Sequence, residues 1–267
     1  MTGASPPRIL AIAGSDSSGG AGIQADIKTI TMLGGYAMTA ITAVTAQNTR
    51  GVQAVEVLPP ELVAAQIDSC IADVGIDAVK IGMLGSARTA DIVAEKIAAL
   101  SVPIVFDPVM VATSGSSLAD SATIGAFKRL MALATLATPN LPELEVLVGT
   151  DALVDDAIVA AAEELAAQYS TSVLAKGGHG AGDRIVDRLV PHGERYVSFD
   201  DPRIDTRHTH GTGCTLSSAI ATLLGHGQSL EHAVRLARRF VREAIAQAPG
   251  FGAGNGPLGQ QAVRIED

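Results

Sequence analysis

The sequence predicts an α/β fold with a mostly parallel central sheet and helices on both faces. Three observations predict it. Short apolar, β-branched runs alternate with amphipathic helical stretches along nearly the whole chain. The first run, Arg8–Gly14, is apolar on both sides of the strand period, as a buried parallel strand requires. Polar or glycine-rich clusters then follow one predicted strand after another, at the carboxyl ends where open α/β sheets bind ligands.

The elements are expected as follows. After the first strand comes a glycine-rich loop, Ser15–Gly22, and an amphipathic helix over Ile23–Leu33 stopped by Gly34-Gly35. Tyr36–Thr45 and Val52–Leu58 read as strands, and Pro59-Pro60 open a helix running to about Val74. Ala78–Ile81 is a short strand and Ala87–Leu100 a helix. Val102–Phe106 is a strand that delivers Asp107, and a Gly/Ser loop over Thr113–Ser117 leads into a helix over Ser121–Met131. Ala134–Ala137 is a strand ending in Thr138-Pro-Asn-Leu-Pro-Glu143. Asp155–Tyr169 is helical, and Ser172–Ala175 is a strand ending in Lys176-Gly-Gly-His179. Arg184–Leu189 and Glu194–Phe199 form a polar hairpin, and helices over Cys214–Leu224 and Leu230–Ala246 complete the pattern.

With 267 residues the chain fits one large domain, its residues 1–7 and 258–267 expected to be flexible ends. Hydrophobic residues make up 47% and charged residues 18%, enough for a sizeable core. Aromatics total 3%, so Ala, Val, Ile and Leu must fill it. A net charge of -9 argues against a nucleic-acid partner. No apolar run has the length of a membrane span and the N-terminus lacks a signal core, so no membrane is expected and the cytoplasm is the default location. Cys70 and Cys214 give neither a disulfide framework nor a paired metal motif, and Cys70 reads as core packing.

One stretch concentrates the chemistry: Thr209-His-Gly-Thr-Gly-Cys-Thr-Leu216, ahead of a small apolar helical run. A glycine–threonine–glycine turn before a helix gathers backbone N–H groups without intrahelical partners, where an anion is favoured. Cys214 in that field is expected to have a lowered pKa and a ready thiolate. The plain alternative is a helix capped by Thr212, with Cys214 as a small buried residue. Gly20-x-Gly22-x-x-Ala25 imitates a dinucleotide fingerprint, but the loop is too long and no acidic residue follows at the right distance. No Gly-Lys-Ser/Thr closes it, which excludes a Walker P-loop. His208-x-His210 with Cys214 lacks a zinc spacing.

These stretches, taken together, carry a resemblance. Gly14–Lys28, Ile41–Thr49, Val79–Leu84, Asp107-Pro-Val-Met110, Thr138–Glu143, Lys176–His179 and His210–Thr215 resemble, in order, the hydroxymethylpyrimidine/phosphomethylpyrimidine kinases of thiamine biosynthesis, members of the ribokinase-like superfamily. The resemblance runs from about Ile9 to Pro257. It implies ATP- and Mg²⁺-dependent phosphorylation of 4-amino-5-hydroxymethyl-2-methylpyrimidine and then of its monophosphate, by a homodimer. It implies that Gln47 reads the pyrimidine, with Asp26, Met83, Gly14 and Ala21 around it. A primary amide, with one acceptor and two donors, suits an aminopyrimidine edge. It implies Cys214 near the hydroxymethyl oxygen, with Gly211, Thr212 and Gly213 as the anion hole. Superfamily relatives often use aspartate at this place, and the cysteine acts either as a base or only as a wall of the pocket. Lys176, Asn140 and Asp107 are implied to hold the ATP phosphates, and Asp107 and Glu143 the Mg²⁺. Asn140 and Glu143 also suit helix capping after Pro139.

The pattern departs at Ala253, where family members carry a basic residue in the C-terminal glycine segment, so a phosphate contact there is not carried over. The rival readings are a pyridoxal kinase of the same subfamily, which lacks Ala46-Gln-Asn-Thr49, and a non-catalytic pyrimidine-binding module.

Overall fold

The computed structural model describes residues 5–111, 115, 118–151, 153–180 and 182–264. The predicted Thr113–Ser117 loop falls mostly outside them. The strands are β1 (Arg8–Asp16), β2 (Tyr36–Asn48), β3 (Gly51–Val57), β4 (Ala78–Ile81), β5 (Ile104–Phe106), β6 (Leu136–Ala137), β7 (Ser172–Ala175), β8 (Arg184–Val190) and β9 (Val197–Pro202). The helices are α1 (Gly22–Met32), α2 (Pro60–Ser69), α3 (Ala87–Ile97), α4 (Ser121–Leu133), α5 (Leu141–Val148), α6 (Asp156–Tyr169), α7 (Thr212–Gly225) and α8 (Leu230–Ala246).

The nine strands form one sheet in the order β3-β2-β1-β4-β5-β6-β7-β8-β9. Strands β2, β1, β4, β5, β6 and β7 run parallel, and β3, β8 and β9 join antiparallel at the two edges. The chain leaves β1 toward β2 on one side and returns to β4 on the other. That reversal puts a switch point at the carboxyl end of β1, where ligands bind in such sheets.

Alternation along β1 explains the two layers. Leu10 and Ile12 join a core with Val63, Val93, Phe106, Phe127 and Leu165, under α2, α3, α4 and α6. Ile9 and Ala11 face Ile30, Ile220, Val234 and Phe240, under α1, α7 and α8. In the second layer α7 is buried from Thr215 to Leu223. A buried aliphatic side chain is worth about 1.5–3 kcal/mol, so the two layers supply the main drive for folding.

Most elements lie where the periodicity predicts them. The helix predicted to reach Val74 is α-helical to Ser69 and continues as a π-helix over Cys70–Val74. Cys70 packs partly buried against the core, as expected. Helix α5 was not predicted. Its Asn140 side chain accepts from Glu143 N at 2.9 Å and Glu143 Oε2 accepts from Asn140 N at 2.8 Å, a full capping box.

The expectation of a flexible end at 258–267 is corrected for its described residues, 258–264. Leu258 and Val263 are buried in the α7–α8 layer, and Gln260, fully buried, donates from Nε2 to Thr215 Oγ1 at 3.1 Å. Apolar burial fixes this segment as it fixes a helix. Pro7 at the other end is buried as well, its carbonyl accepting from Tyr36 N at 2.8 Å.

Candidate active site

The strand-end clusters meet around the N-terminus of α7. Gly211 is its N-cap at φ 88°, and no side chain caps the helix. A Cβ on Gly211 would lie 1.9 Å from Gly20 O, so only glycine lets this turn sit on the β1–α1 loop. The alternative of a cap by Thr212 is thereby set aside. No side chain caps the first turn of α7, and its Thr212 N donates to Thr209 O at 3.3 Å.

On one side of this helix end lies the phosphate-type group. Lys176 Nζ donates to Asp107 Oδ1 at 2.7 Å and stands 3.9 Å from Glu143 Oε2. Asp107 Oδ1 also accepts from Thr138 Oγ1 at 2.9 Å. A Cβ on Gly213 would lie 3.3 Å from Asp107 Oδ2 and 3.5 Å from Lys176 Nζ, so the anion hole abuts this pair directly. Burial raises the Glu143 pKa to about 7, Lys176 opposing and Asp107 adding to the shift. Burial also works against a charged Lys176, but Asp107 and Glu143 outweigh it and its pKa is raised. Asn140 and Glu143 both serve as caps of α5, one of the two uses open to them on sequence grounds.

On the other side lie the residues expected to read the substrate. Gly14 is packed against Met83, whose Sδ would be 3.1 Å from a Cβ there. Met83 O accepts from Thr42 Oγ1 at 2.7 Å. Gln47 ends β2 beside a bulge where β3 carries one extra residue, Gln53, a feature that re-aims side chains. Its main chain is clamped by Ser17 Oγ, which accepts from Gln47 N at 2.9 Å and donates to Gln47 O at 3.0 Å. Ala21 sits at the N-cap of α1 and donates its N–H to Asp16 Oδ2 at 2.9 Å.

Asp26 is placed differently from its expected role. Its side chain is fully buried, both oxygens accept from Lys80 Nζ at 2.9 Å, and Oδ1 accepts from Ser218 Oγ at 2.6 Å. It is half of an internal ion pair, with no exposed atom to offer a ligand here. Lys80 was not singled out in the sequence, although a lysine inside Ala78-Val-Lys-Ile81 marks a polar residue at a core position. Burial opposes its charge, but Asp26, Cys214 and Asp107 overcome that and its pKa is raised.

The expectation of a depressed Cys214 pKa is corrected. Burial pushes the thiol up to about 11, and Asp26 and Asp107 add to this, while Lys80 and the Gly22 amide oppose it. The helix terminus is present, but two carboxylates converge on the same sulfur from segments far away in sequence. Cys214 therefore rests as a neutral thiol.

His210 is the second residue that the sequence left without a role. Its Nε2 lies 2.8 Å from Asp16 Oδ2 and 3.4 Å from the Gln47 carboxamide. It is not part of a metal cluster: among the described residues no group of three or more His, Cys, Asp or Glu could hold a metal ion. The C-terminal glycine segment closes over the end of β2, where a Cβ on Gly254 would meet Thr49 O at 2.0 Å. The Arg207 guanidinium lies against that segment, donating to Ala253 O at 3.4 Å and Gly252 O at 3.5 Å. Among the described residues no helix is long and apolar enough to cross a membrane.

The comparisons with known proteins agree with this geometry. The phosphomethylpyrimidine kinase family model matches residues 16–259. A hydroxymethylpyrimidine/phosphomethylpyrimidine kinase of Streptomyces coelicolor is 47% identical over 254 residues, covering 95% of this chain and 94% of that protein. A thiamine biosynthesis bifunctional protein of Geobacter sulfurreducens is 45% identical over 252 residues, and there the chain spans 51% of the relative's length. Among solved structures, a phosphomethylpyrimidine kinase of Clostridium difficile has a TM-score of 0.79 at 39% identity, covering 90% of this chain and 99% of that one. An ADP complex of Bacillus subtilis pyridoxal kinase has a TM-score of 0.88 at 34% identity, covering 97% and 98%. With its switch-point site, its uncapped helix end and these matches, the chain belongs to the phosphomethylpyrimidine kinase family.

Proposed function

We propose that this chain transfers phosphate from ATP to the hydroxymethyl group of an aminopyrimidine and then to the resulting monophosphate. One observation carries the reading. The uncapped end of α7 stands against Asp107 and Lys176, and Gly211 of the same turn sits on the loop between β1 and α1. An alcohol held at the Gln47–Met83 side would meet a phosphoryl group held at the Lys176 side, across a set of backbone donors. Preorganised donors of this kind stabilise charge that develops in transfer.

In this reading Gly211, Thr212 and Gly213 hold the equatorial phosphoryl oxygens, and Lys176 neutralises the triphosphate. Asn140 and Asp107 line the same side. The donor set fits Mg²⁺, a hard ion that takes one or two carboxylates together with phosphate oxygens and water. Asp107 and Glu143 would hold it, and when bound it would supply charge neutralisation on the phosphates. Asp26, with Lys80, supports the floor on which Gln47, Met83, Gly14 and Ala21 form the pyrimidine side. A homodimer is part of the same proposal.

Cys214 takes one of two roles, and variants separate them. A general base contributes on the order of 10²–10⁴-fold, so Cys214→Ser and Cys214→Ala lose that much in single-turnover transfer. A thiol that shapes the pocket leaves Cys214→Ser close to the parent. The raised thiol pKa favours the second outcome.

The pyridoxal kinase reading is favoured by several solved neighbours of that name, and Gln47–Thr49 argues against it. Calorimetry with 4-amino-5-hydroxymethyl-2-methylpyrimidine and with pyridoxal tests the assignment. Tighter binding of the pyrimidine, weakened about 10-fold in Gln47→Leu, is expected for one lost hydrogen-bond pair. Tighter binding of pyridoxal in the parent would overturn it.

A further inference from the structure

We propose that the buried His210–Asp16 pair fixes which end of the Gln47 carboxamide faces the ligand, making His210 a positioning residue for substrate recognition. The inference rests on the reading above that Gln47 contacts the pyrimidine.

The hydrogen-bond polarity can be followed atom by atom. Asp16 Oδ1 accepts from Ser18 N and Ser18 Oγ, both at 2.8 Å, and Oδ2 accepts from Gly20 N at 3.1 Å and Ala21 N at 2.9 Å. A carboxylate with this many donors is held ionised and can only accept. Burial opposes that charge, yet the bonds from His210, Ser18 and Ala21 bring the Asp16 pKa to about 2. His210 Nε2, 2.8 Å from Oδ2, must therefore carry a proton and donate it.

In the structure Gln47 Nε2 sits 3.4 Å from the same Nε2, so two donors face each other. Two donors cannot pair, so the amide end that completes this contact is its oxygen. The two ends differ only by a half-turn of the amide, and the network decides between them. In the structure Gln47 Oε1 faces Thr45 Oγ1 at 3.2 Å, and the half-turn puts the NH₂ there instead. Thr45 has a single hydroxyl proton, and Ser15 O accepts it at 3.0 Å. Thr45 Oγ1 is then left as an acceptor for the Gln47 NH₂. One order satisfies every atom: Gln47 NH₂ to Thr45 Oγ1, Thr45 O–H to Ser15 O, and His210 Nε2–H shared by Asp16 and the Gln47 oxygen.

The ring is held tightly enough to enforce this. His210 is 5% exposed, and its main-chain N donates to Gly256 O at 3.1 Å. A Cβ on Gly20 would lie 2.3 Å from His210 Cδ2, so the β1–α1 loop packs on the ring edge. Gln47 thus keeps one N–H and one lone pair for a ligand, in a fixed order. An aminopyrimidine presents an exocyclic donor beside a ring-nitrogen acceptor. Its 4-oxo analogue, with a ring N–H, presents the reverse order. A fixed amide separates the two, and an amide free to turn accepts either.

The test is the ratio of affinities for 4-amino-5-hydroxymethyl-2-methylpyrimidine and its 4-oxo analogue, by calorimetry on the full chain. Four variants are compared with the parent: His210→Phe, His210→Gln, Thr45→Val and Gln47→Leu. The parent is expected to prefer the amino compound by about 10-fold or more, the scale of a mismatched hydrogen-bond pair. His210→Phe and Thr45→Val each bring that ratio toward one while affinity for an unreactive ATP analogue stays within about twofold. His210→Gln, which keeps a donor toward Asp16 and Gln47, restores the preference. Loss of packing alone would weaken both pyrimidines equally and leave the ratio intact, which overturns the proposal. Thr45→Val reads the opposite end of the amide, so an unstable His210→Phe still leaves a decisive variant. If Gln47→Leu abolishes the preference while His210→Phe and Thr45→Val retain it, Gln47 reads the ligand without this pair. Unchanged affinities in Gln47→Leu remove the reading of Gln47 itself, and this inference with it.

Discussion

Lys80 and Lys176 each bring an ammonium to an aspartate near the carboxyl edge of the sheet. Lys80 meets Asp26 at 2.9 Å with both side chains fully buried, and Lys176 meets Asp107 at 2.7 Å with 14% of its side chain exposed. That small difference in exposure separates their uses. Lys80 is enclosed by Asp26, and Gly82 leaves space for it, since a Cβ there would be 2.8 Å from Nζ. Lys176 opens beside Gly213 and retains a second carboxylate, Glu143, at 3.9 Å. A sealed pair sets the charge balance under the site, whereas a half-open pair is ready to exchange a carboxylate for a phosphate. Desolvation, more than residue type, decides which lysine meets a ligand.

The largest expected effect comes from breaking the sealed pair. Lys80→Met leaves the Asp26 carboxyl, whose pKa burial already raises, buried without its cation, which costs about 3–5 kcal/mol of stability. Adding Asp26→Asn recovers most of it, because neither charge then remains. Urea unfolding of the parent and the two variants measures this, and a Lys80→Met protein as stable as the parent contradicts the account of the pair.

Lys176→Ala is the counterpart. Asp107 and Glu143 lose their buried cation, so stability falls as well, while the ATP affinity falls by about 10-fold or more, the scale of a charged hydrogen bond. Pyrimidine binding stays within about twofold, as expected for groups without a shared partner. If pyrimidine binding fell and nucleotide affinity held, the two sides of the site would be reversed.

A smaller effect concerns Glu143, whose pKa is raised to about 7 from an ordinary 4.5. Between those values the folded protein binds more protons at this group than the unfolded chain does. Stability therefore falls as pH rises from about 4.5 to 7 on this account. Glu143→Gln keeps the capping geometry and removes the titration, so its stability relative to the parent should improve over that window. A constant difference between pH 4.5 and 7.5 would falsify the shift.

The smallest expected signal is the reactivity of Cys214. A thiol near 11 is almost wholly protonated at pH 7, so alkylation is slow there and accelerates as pH climbs. Mass spectrometry after timed iodoacetamide treatment reads it. Rapid labelling of Cys214 at pH 7 would restore the thiolate expected from the helix end alone.

Much of the fold is legible because its strands and helices obey local periods. The strand of Arg8–Gly14 and the helix of Leu230–Ala246 need no partner to be recognised. Helix α5 was not set out as an element, although Asn140 and Glu143 after Pro139 suit its capping box. The buried end from Leu258 to Val263 is not legible, since its contacts are with α7 and α8 rather than with itself. The site divides in the same way. Gly211–Cys214, Gln47, Asp107 and Lys176 stand out as motifs at strand and helix ends. Lys80 with Asp26 lies 54 positions apart, and His210 with Asp16 lies 194 apart, so neither pair leaves a local trace. The Cys214 pKa fails for that reason too. The helix end is local, but the burial that raises the thiol pKa, with Asp26 and Asp107 adding to it, comes from packing with distant segments.

The most direct measurement of the central proposal is product analysis by phosphorus NMR with purified chain, ATP, Mg²⁺ and 4-amino-5-hydroxymethyl-2-methylpyrimidine. The account predicts a monophosphate ester that appears first and a diphosphate that grows at its expense, with ADP formed in step and both lost in Lys176→Ala. No phosphorylated pyrimidine from the parent, under conditions where pyridoxal is phosphorylated, would contradict it.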